Sequence, residues 1–176
     1  MAAATVDAVE KLGYQLIETH GKIEVRQYEA YTVAQVAVAA DFEDAGNLGF
    51  RRLFTFIDGG NSSTTPISMT APVLQAPAAD AWRVAFVMPA ALEPDTMPQP
   101  IDEDVVITTM PATLMAAIRY SGNWSKERYE VHERQLRDAV ARTPLHVCGE
   151  PSGHATTHHS VPTFWRRNEV LVPVCR

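Results

Sequence analysis

Phe50, Leu53, Phe54 and Ile57 recur at the three- and four-residue spacing of a helix and make one apolar stripe. Gly59 and Gly60 follow and predict its end, because glycine takes the left-handed conformation that helix termini use. Asp41 or Asp44 supplies the N-terminal cap. With about 3.6 residues per turn, Leu48, Arg51, Arg52 and Thr55 gather away from the core. Upstream, residues 23–28 alternate apolar and polar positions, and residues 32–39 are rich in valine and alanine. Both read as strands, and the short turn at Glu29-Ala30 predicts a hairpin between them. Downstream, residues 61–65 form a polar loop and residues 67–70 a buried strand. Pro72, which has no N–H to donate, should stop the pairing there.

Residues 75–81 are a loop of small residues, and residues 83–88 a strand closed by Pro89. Pro89, Pro94, Pro98 and Pro100 stiffen a surface loop. Residues 105–109 and 113–120 read as strands joined by a turn at residues 110–112. Ser125 caps a second helix that turns Tyr129, His132 or Glu133, Leu136 and Val140 inward, and Thr143-Pro144 ends it. Residues 144–163 are irregular, and residues 169–174 make a last strand. Strand, tight turn, strand, helix, strand thus occurs over residues 23–70 and again over 105–174, a structural echo without repeated side chains. The expected fold is α+β: a distorted antiparallel β-barrel with two packed helices, a quasi-twofold repeat of a strand-strand-helix-strand unit. Residues 1–13 read as a flexible arm, helical near residues 6–12, and residues 14–176 as a single domain.

Composition narrows the function. A net charge of -6 argues against a nucleic-acid binder, which needs a basic footprint. No run approaches the roughly 18 apolar residues of a membrane helix. The first ten residues lack the basic start and apolar stretch of a secretory signal, and the arginines of a transit peptide. Cys148 and Cys175 lie far apart and match no metal spacing. They read as reduced thiols in a cytoplasm, with a late-forming disulfide as the alternative.

The candidate chemistry is sparse. Gly-x-Ser-x-Gly, a Cys–His pair, a P-loop and a dinucleotide fingerprint are missing, and no two carboxylates are forced together by spacing. His154, His158 and His159 lie within six residues, with His146 nearby. Imidazole ligates zinc, copper and haem iron. Adjacent His158 and His159 on an extended chain point to opposite sides, so at most one faces a pocket; a plain His-rich polar loop is the alternative. Leu48 beside Arg51 and Arg52 makes a seat for a flat, apolar, anionic ligand, against the alternative of a solvated helix face. Arg166-Arg167-Asn168-Glu169 reads as a turn with Arg–Glu pairing, the second arginine reaching a ligand carboxylate.

Several segments together resemble the SOUL haem-binding proteins: Ile23-Glu24-Val25-Arg26-Gln27-Tyr28, Gly49-Phe50-Arg51-Arg52-Leu53-Phe54, Gly59-Gly60-Asn61, Ile67-Ser68-Met69-Thr70-Ala71-Pro72-Val73 and Arg166-Arg167-Asn168-Glu169-Val170. The resemblance spans about residues 14–176. It implies a distorted barrel with two helices, cytosolic, binding haem b or another tetrapyrrole. In members without an axial ligand the ring is expected in a shallow groove on the outer face of the first helix, here Leu48, Arg51, Arg52 and Thr55. The region from His158 to Phe164 would form the other side. Two departures stand out. Some members carry a His, proposed as an iron ligand, where this chain has Gln27. The segment that often reads Tyr-x-Pro-Pro is here Thr157-His158-His159-Ser160-Val161-Pro162, which suggests His158 or His159 as the haem-iron ligand.

The resulting expectation is a monomeric, cytoplasmic, non-catalytic tetrapyrrole carrier, buffer or sensor with no nucleic-acid partner. One alternative is a stand-alone small-molecule effector-binding module, since the architecture also resembles the effector domains of bacterial regulators. Another is an enzyme, haem-dependent or a hydrolase using a barrel-pocket carboxylate among Glu18, Glu24, Glu130 and Glu133.

Overall fold

The computed structural model describes residues 9–155 and 167–176. Its elements run β1 (Glu10–Lys11), β2 (Gln15–His20), β3 (Ile23–Tyr28), β4 (Tyr31–Val38), α1 (Phe42–Ile57), β5 (Thr70–Ala71), β6 (Val73–Ala78), β7 (Ala81–Val87), β8 (Val106–Met110), β9 (Thr113–Ser121), α2 (Lys126–Val140), β10 (His146–Val147), β11 (Ser152–Ala155) and β12 (Arg167–Cys175), with a 3-10 turn at Pro94–Thr96. Residues 1–8 of the expected arm lie outside this description. Glu10 and Lys11 pair in parallel with Thr70 and Ala71.

The main sheet follows the order β2-β3-β9-β12-β11-β6-β7-β4-β8, with β10 attached to β12. Its pairings are antiparallel. β2 and β8 remain its edges, so it does not close into the expected barrel. The expected hairpin between residues 23–28 and 32–39 does not form either. β3 pairs with β2 and β9, while β4 pairs with β7 and β8. A short turn between two strands permits a hairpin but does not require one. Here the alternating faces of both strands are better buried by distant partners.

The loop expected at residues 75–81 is mostly strand. Pro72 separates β5 from β6 but does not end the sheet, because β6 pairs with β7 and β11. Among its described residues, the region expected to be irregular holds the strands β10 and β11.

Both helices lie on one side of the sheet, α1 on β7 and β4, α2 on β12 and β9. The inward face of α1 is Phe42, Ala45, Gly49, Leu53, Phe56 and Ile57. The sequence stripe is corrected here, since Phe50 and Phe54 are 37% and 43% exposed. The helix begins seven residues before Gly49, and the longer stripe from Phe42 sets the packing angle. Gly49 is the contact point: a Cβ there would stand 2.6 Å from the Val84 side chain.

Gly59, at φ +100°, ends α1, and the Gly60 N–H donates to the Thr55 carbonyl, closing a Schellman turn. Asn61 then organises the loop, donating to the carbonyls of Phe56 and Thr65 and accepting from the N–H of Ser63 and Thr65. Asp41 and Ser125 stand at the cap positions of the two helices, and neither side chain makes a capping hydrogen bond. The Lys126 N–H at the start of α2 instead donates to Glu43 on α1 at 3.1 Å. α2 buries Tyr129, Leu136 and Val140 as expected.

Cys148 and Cys175 form a disulfide, which overturns the reading of reduced thiols. The pairing of His146 with Cys175 and Val147 with Val174 brings the two Cα atoms within 6.0 Å. A separation of 27 residues gives no hint of that register.

Candidate functional site

Strand alternation gives the sheet two unlike faces. On β12, Val170, Val172 and Val174 join the core under α2, whereas Glu169, Leu171 and Pro173 face away from it. The same holds on β9, where Ala116 and Ile118 point to α2 and Met115 and Arg119 point away. On the face away from the helices the sheet curves around a cavity of about 560 Å³.

A charged cluster is built into that cavity's wall. Arg26, 1% exposed, donates from Nη1 to Glu169 Oε2 at 2.6 Å and from Nη2 to Oε1 at 3.1 Å. Its Nε donates to Glu24 at 2.8 Å. Arg119 donates from Nε to Glu169 at 2.5 Å, from Nη1 to Glu24 at 3.0 Å and from Nη2 to the Tyr14 hydroxyl at 2.8 Å. The Tyr14 ring covers the Arg26 guanidinium, 4.3 Å from its carbon. His154 Nε2 lies 3.3 Å from Glu169. Burial works against ionised Glu169, but the bonds from His154, Arg26 and Arg119 hold its carboxyl well below the usual range. Burial pushes the hydroxyls of Tyr28 and Tyr31, on the same wall, upward.

The two segments that carry the family resemblance at either end of the chain, residues 23–28 and 166–170, therefore meet in this Arg26–Glu169 pair. Sequence reading expected Glu169 to pair with a neighbouring arginine. In β12 it pairs with Arg26 of β3 and Arg119 of β9, partners that reading did not name. Asn168, on the opposite face, donates to the Gly122 carbonyl at 3.0 Å.

The second surface is the outside of α1. Leu48, Arg51 and Thr55 are exposed, as expected, and Leu48 is 45% exposed. Arg52 is half-buried and its fork is engaged, with Nε and Nη2 donating to Asp102 at 2.8 and 2.6 Å and Nη2 reaching Asp104 at 2.7 Å. Those hydrogen bonds lower the Asp102 carboxyl. The sequence reading missed Phe50 and Phe54 here, having assigned both to the core. Their rings stack with centroids 6.1 Å apart and planes 11° from parallel. Phe50 meets the edge of Phe86 at 5.2 Å. Phe86 pairs with Val73, and Val73 with Ala155, so the last described residue of β11 stands two strands from this aromatic flank.

His158, His159 and Phe164, and the segment from Thr157 to Pro162, lie outside the described residues. Among the described residues, no three His, Cys, Asp or Glu side chains come together as a metal site. His154 is a hydrogen-bond partner of Glu169, and His146 is on β10. No described helix is long and apolar enough to cross a membrane.

Comparison with solved structures finds the same fold in proteins of distant sequence. The C-terminal domain of EcmrR matches with 10% identity, 93% of this chain, 98% of that chain and a TM-score of 0.65. A hydrolase from Listeria innocua matches with 11% identity, 88% of this chain, 92% of that chain and a TM-score of 0.56. SAV2435, bound to tetraphenylphosphonium, matches with 12% identity, 93% of this chain, 94% of that chain and a TM-score of 0.50. At these identities the likeness is one of fold alone. No curated protein matches the sequence. The family model described as SOUL heme-binding protein matches residues 9–173, a span that takes in α1, the Asn61 turn and both partners of the Arg26–Glu169 pair. The chain belongs to the SOUL heme-binding protein family.

Proposed function

We propose that the protein binds a tetrapyrrole, haem b or another porphyrin, on the outer face of α1, and acts as a monomeric carrier, buffer or sensor. Family membership supports the ligand class. The observation that carries the location is the exposed aromatic pair Phe50 and Phe54 on the same helix as Leu48 and exposed Arg51. A stacked phenyl pair presents a flat apolar surface to a flat apolar ring. Arg51, which makes no ion pair among the described residues, suits a propionate, and Thr55 adds a hydroxyl beside it. Arg52 would have to leave two carboxylates to do the same. His158 or His159 is the proposed iron ligand, with Phe164 on the far side of the ring. When bound, the tetrapyrrole would supply the iron or ring chemistry; the chain's own part is to hold its carboxylate and cover its face. The Cys148–Cys175 bond favours an oxidising compartment over the cytoplasm expected from the sequence.

The test is a haemin titration followed by absorbance. Wild type should give a saturable Soret band. Phe50→Ser/Phe54→Ser should abolish saturation, and Arg51→Ala should weaken binding about tenfold, more than Arg52→Ala does. His158→Ala/His159→Ala should shift or weaken the band. An unchanged band in that variant would sink the axial ligand while leaving the groove. Unchanged binding by the phenylalanine variant would sink the groove.

A second reading, small-molecule effector binding within the sheet, is favoured by the cavity of about 560 Å³, a volume typical of ligand pockets. The tetraphenylphosphonium bound to SAV2435 supports it by fold likeness. Glu169 gives the hydrolase reading no support, being ionised and bonded on both oxygens rather than poised as an acid.

A further inference from the structure

Among the described residues, the cavity wall carries more cationic than anionic side chains, in a chain whose net charge is -6. Lys11, Arg26, Arg83, Arg119 and Arg167 line it, against Glu150 and Glu169. Both oxygens of Glu169 are occupied, Oε2 by Arg26 and His154, Oε1 by Arg26 and Arg119. Glu24 takes the remaining charge of those two arginines. Arg26, Arg119, Glu24 and Glu169 therefore cancel as a unit. Of the remaining described side chains, a ligand meets Lys11 and Arg83 against Glu150. The buried carboxylate that would draw in a cation is spent on the protein's own arginines. The rest of the described lining is mainly apolar and aromatic, Tyr31, Leu74, Met115 and Leu171 among it, with Gln35, Thr113, Ser152 and His154 as its polar members.

We propose that this cavity is a second binding site, separate from the α1 face, and that it takes a bulky apolar anion. The ligand class is an organic acid with an aromatic or branched body. Its carboxylate stays at the rim by exposed Arg83, and its body lies on Tyr31, Leu74 and Leu171. A net excess of positive charge beside a low-dielectric cleft raises the local concentration of the oppositely charged ligand. The assignment rests on the reading of the cavity as a small-molecule site and adds the sign of the ligand's charge.

Tetraphenylborate and tetraphenylphosphonium share one shape and carry opposite charges, so a calorimetric titration of the full chain with each isolates the charge. Tetraphenylborate should bind saturably, one per chain, and about tenfold or more tighter than tetraphenylphosphonium. Arg83→Glu, at an exposed position, should shrink that ratio several-fold without moving the melting temperature. Ala76→Phe, on the cavity wall, should weaken both probes. Equal or tighter binding of tetraphenylphosphonium would overturn the charge assignment and leave the cavity reading standing. No saturable binding of either probe would overturn both. Tetraphenylborate binding that survives Ala76→Phe but is lost in Phe50→Ser/Phe54→Ser would put the anion on α1 and overturn the second site.

Discussion

Glu169 shows how much one residue can hold. Its carboxylate receives two arginines and a histidine, one of those arginines being almost wholly buried. Replacing it with leucine leaves Glu24 as the one carboxylate beside buried Arg26 among the described residues, and the expected loss is about 3–5 kcal/mol, read from chemical denaturation. The pH dependence follows from the same bonds. The folded chain holds Glu169 ionised below the usual carboxylate range, so the unfolded chain takes up that proton first as pH falls. The stabilisation is full above about pH 5 and is lost as pH drops toward the folded value. The acid limb of melting temperature against pH should therefore be shallower in Glu169→Gln than in wild type; an equally steep limb would exclude Glu169 as its source. The Arg52–Asp102 pair looks similar on paper but is about one-third exposed on each side, and belongs to the class worth roughly 0–1 kcal/mol.

At the scale of elements, α1 is fixed by a glycine. Gly49 lets the helix approach β7 until only a hydrogen separates it from Val84. Gly49→Ala should cost about 1–3 kcal/mol by overpacking, although alanine is the better helix former. A stabilised variant would contradict this packing. The helix also shows where sequence patterning runs out. Helical spacing placed Phe50 and Phe54 with Leu53 and Ile57, and half of that stripe is correct. The deciding residues were Phe42 and Ala45, which lie outside the window that held the aromatics. Strand positions 23–28 and the inward face of α2 were legible because a period of two or of 3.6 survives any choice of partner. Pairing was not legible: β3 beside β9 and β4 beside β8 depend on contacts 70 to 100 residues apart that no local pattern encodes. The α1 part of the candidate site was partly readable, as Leu48, Arg51 and Thr55 are exposed. The cavity was invisible, because its wall draws single alternate residues from many strands.

For the whole molecule, a ten-stranded open sheet separates two environments. One face is an apolar core under both helices; the other bounds a cavity with a buried ion cluster in its wall. The disulfide fastens β12 to the loop after β10, closing a separation of 27 residues. In a chain-entropy estimate such a loop contributes about 3–4 kcal/mol, so dithiothreitol should lower the melting temperature by several degrees. No change on reduction would mean that β10–β12 pairing persists without it. Family membership supports the ligand class, and the proposed place is the outside of α1 rather than the inside of the sheet. The most direct test of that place is an amide chemical-shift map of the protein titrated with protoporphyrin IX. Shifts concentrated on residues 47–58 and on Phe86 and Val73 are the predicted result. Shifts concentrated on the cavity-facing strands, at Arg26, Leu74, Met115 and Leu171, would contradict it.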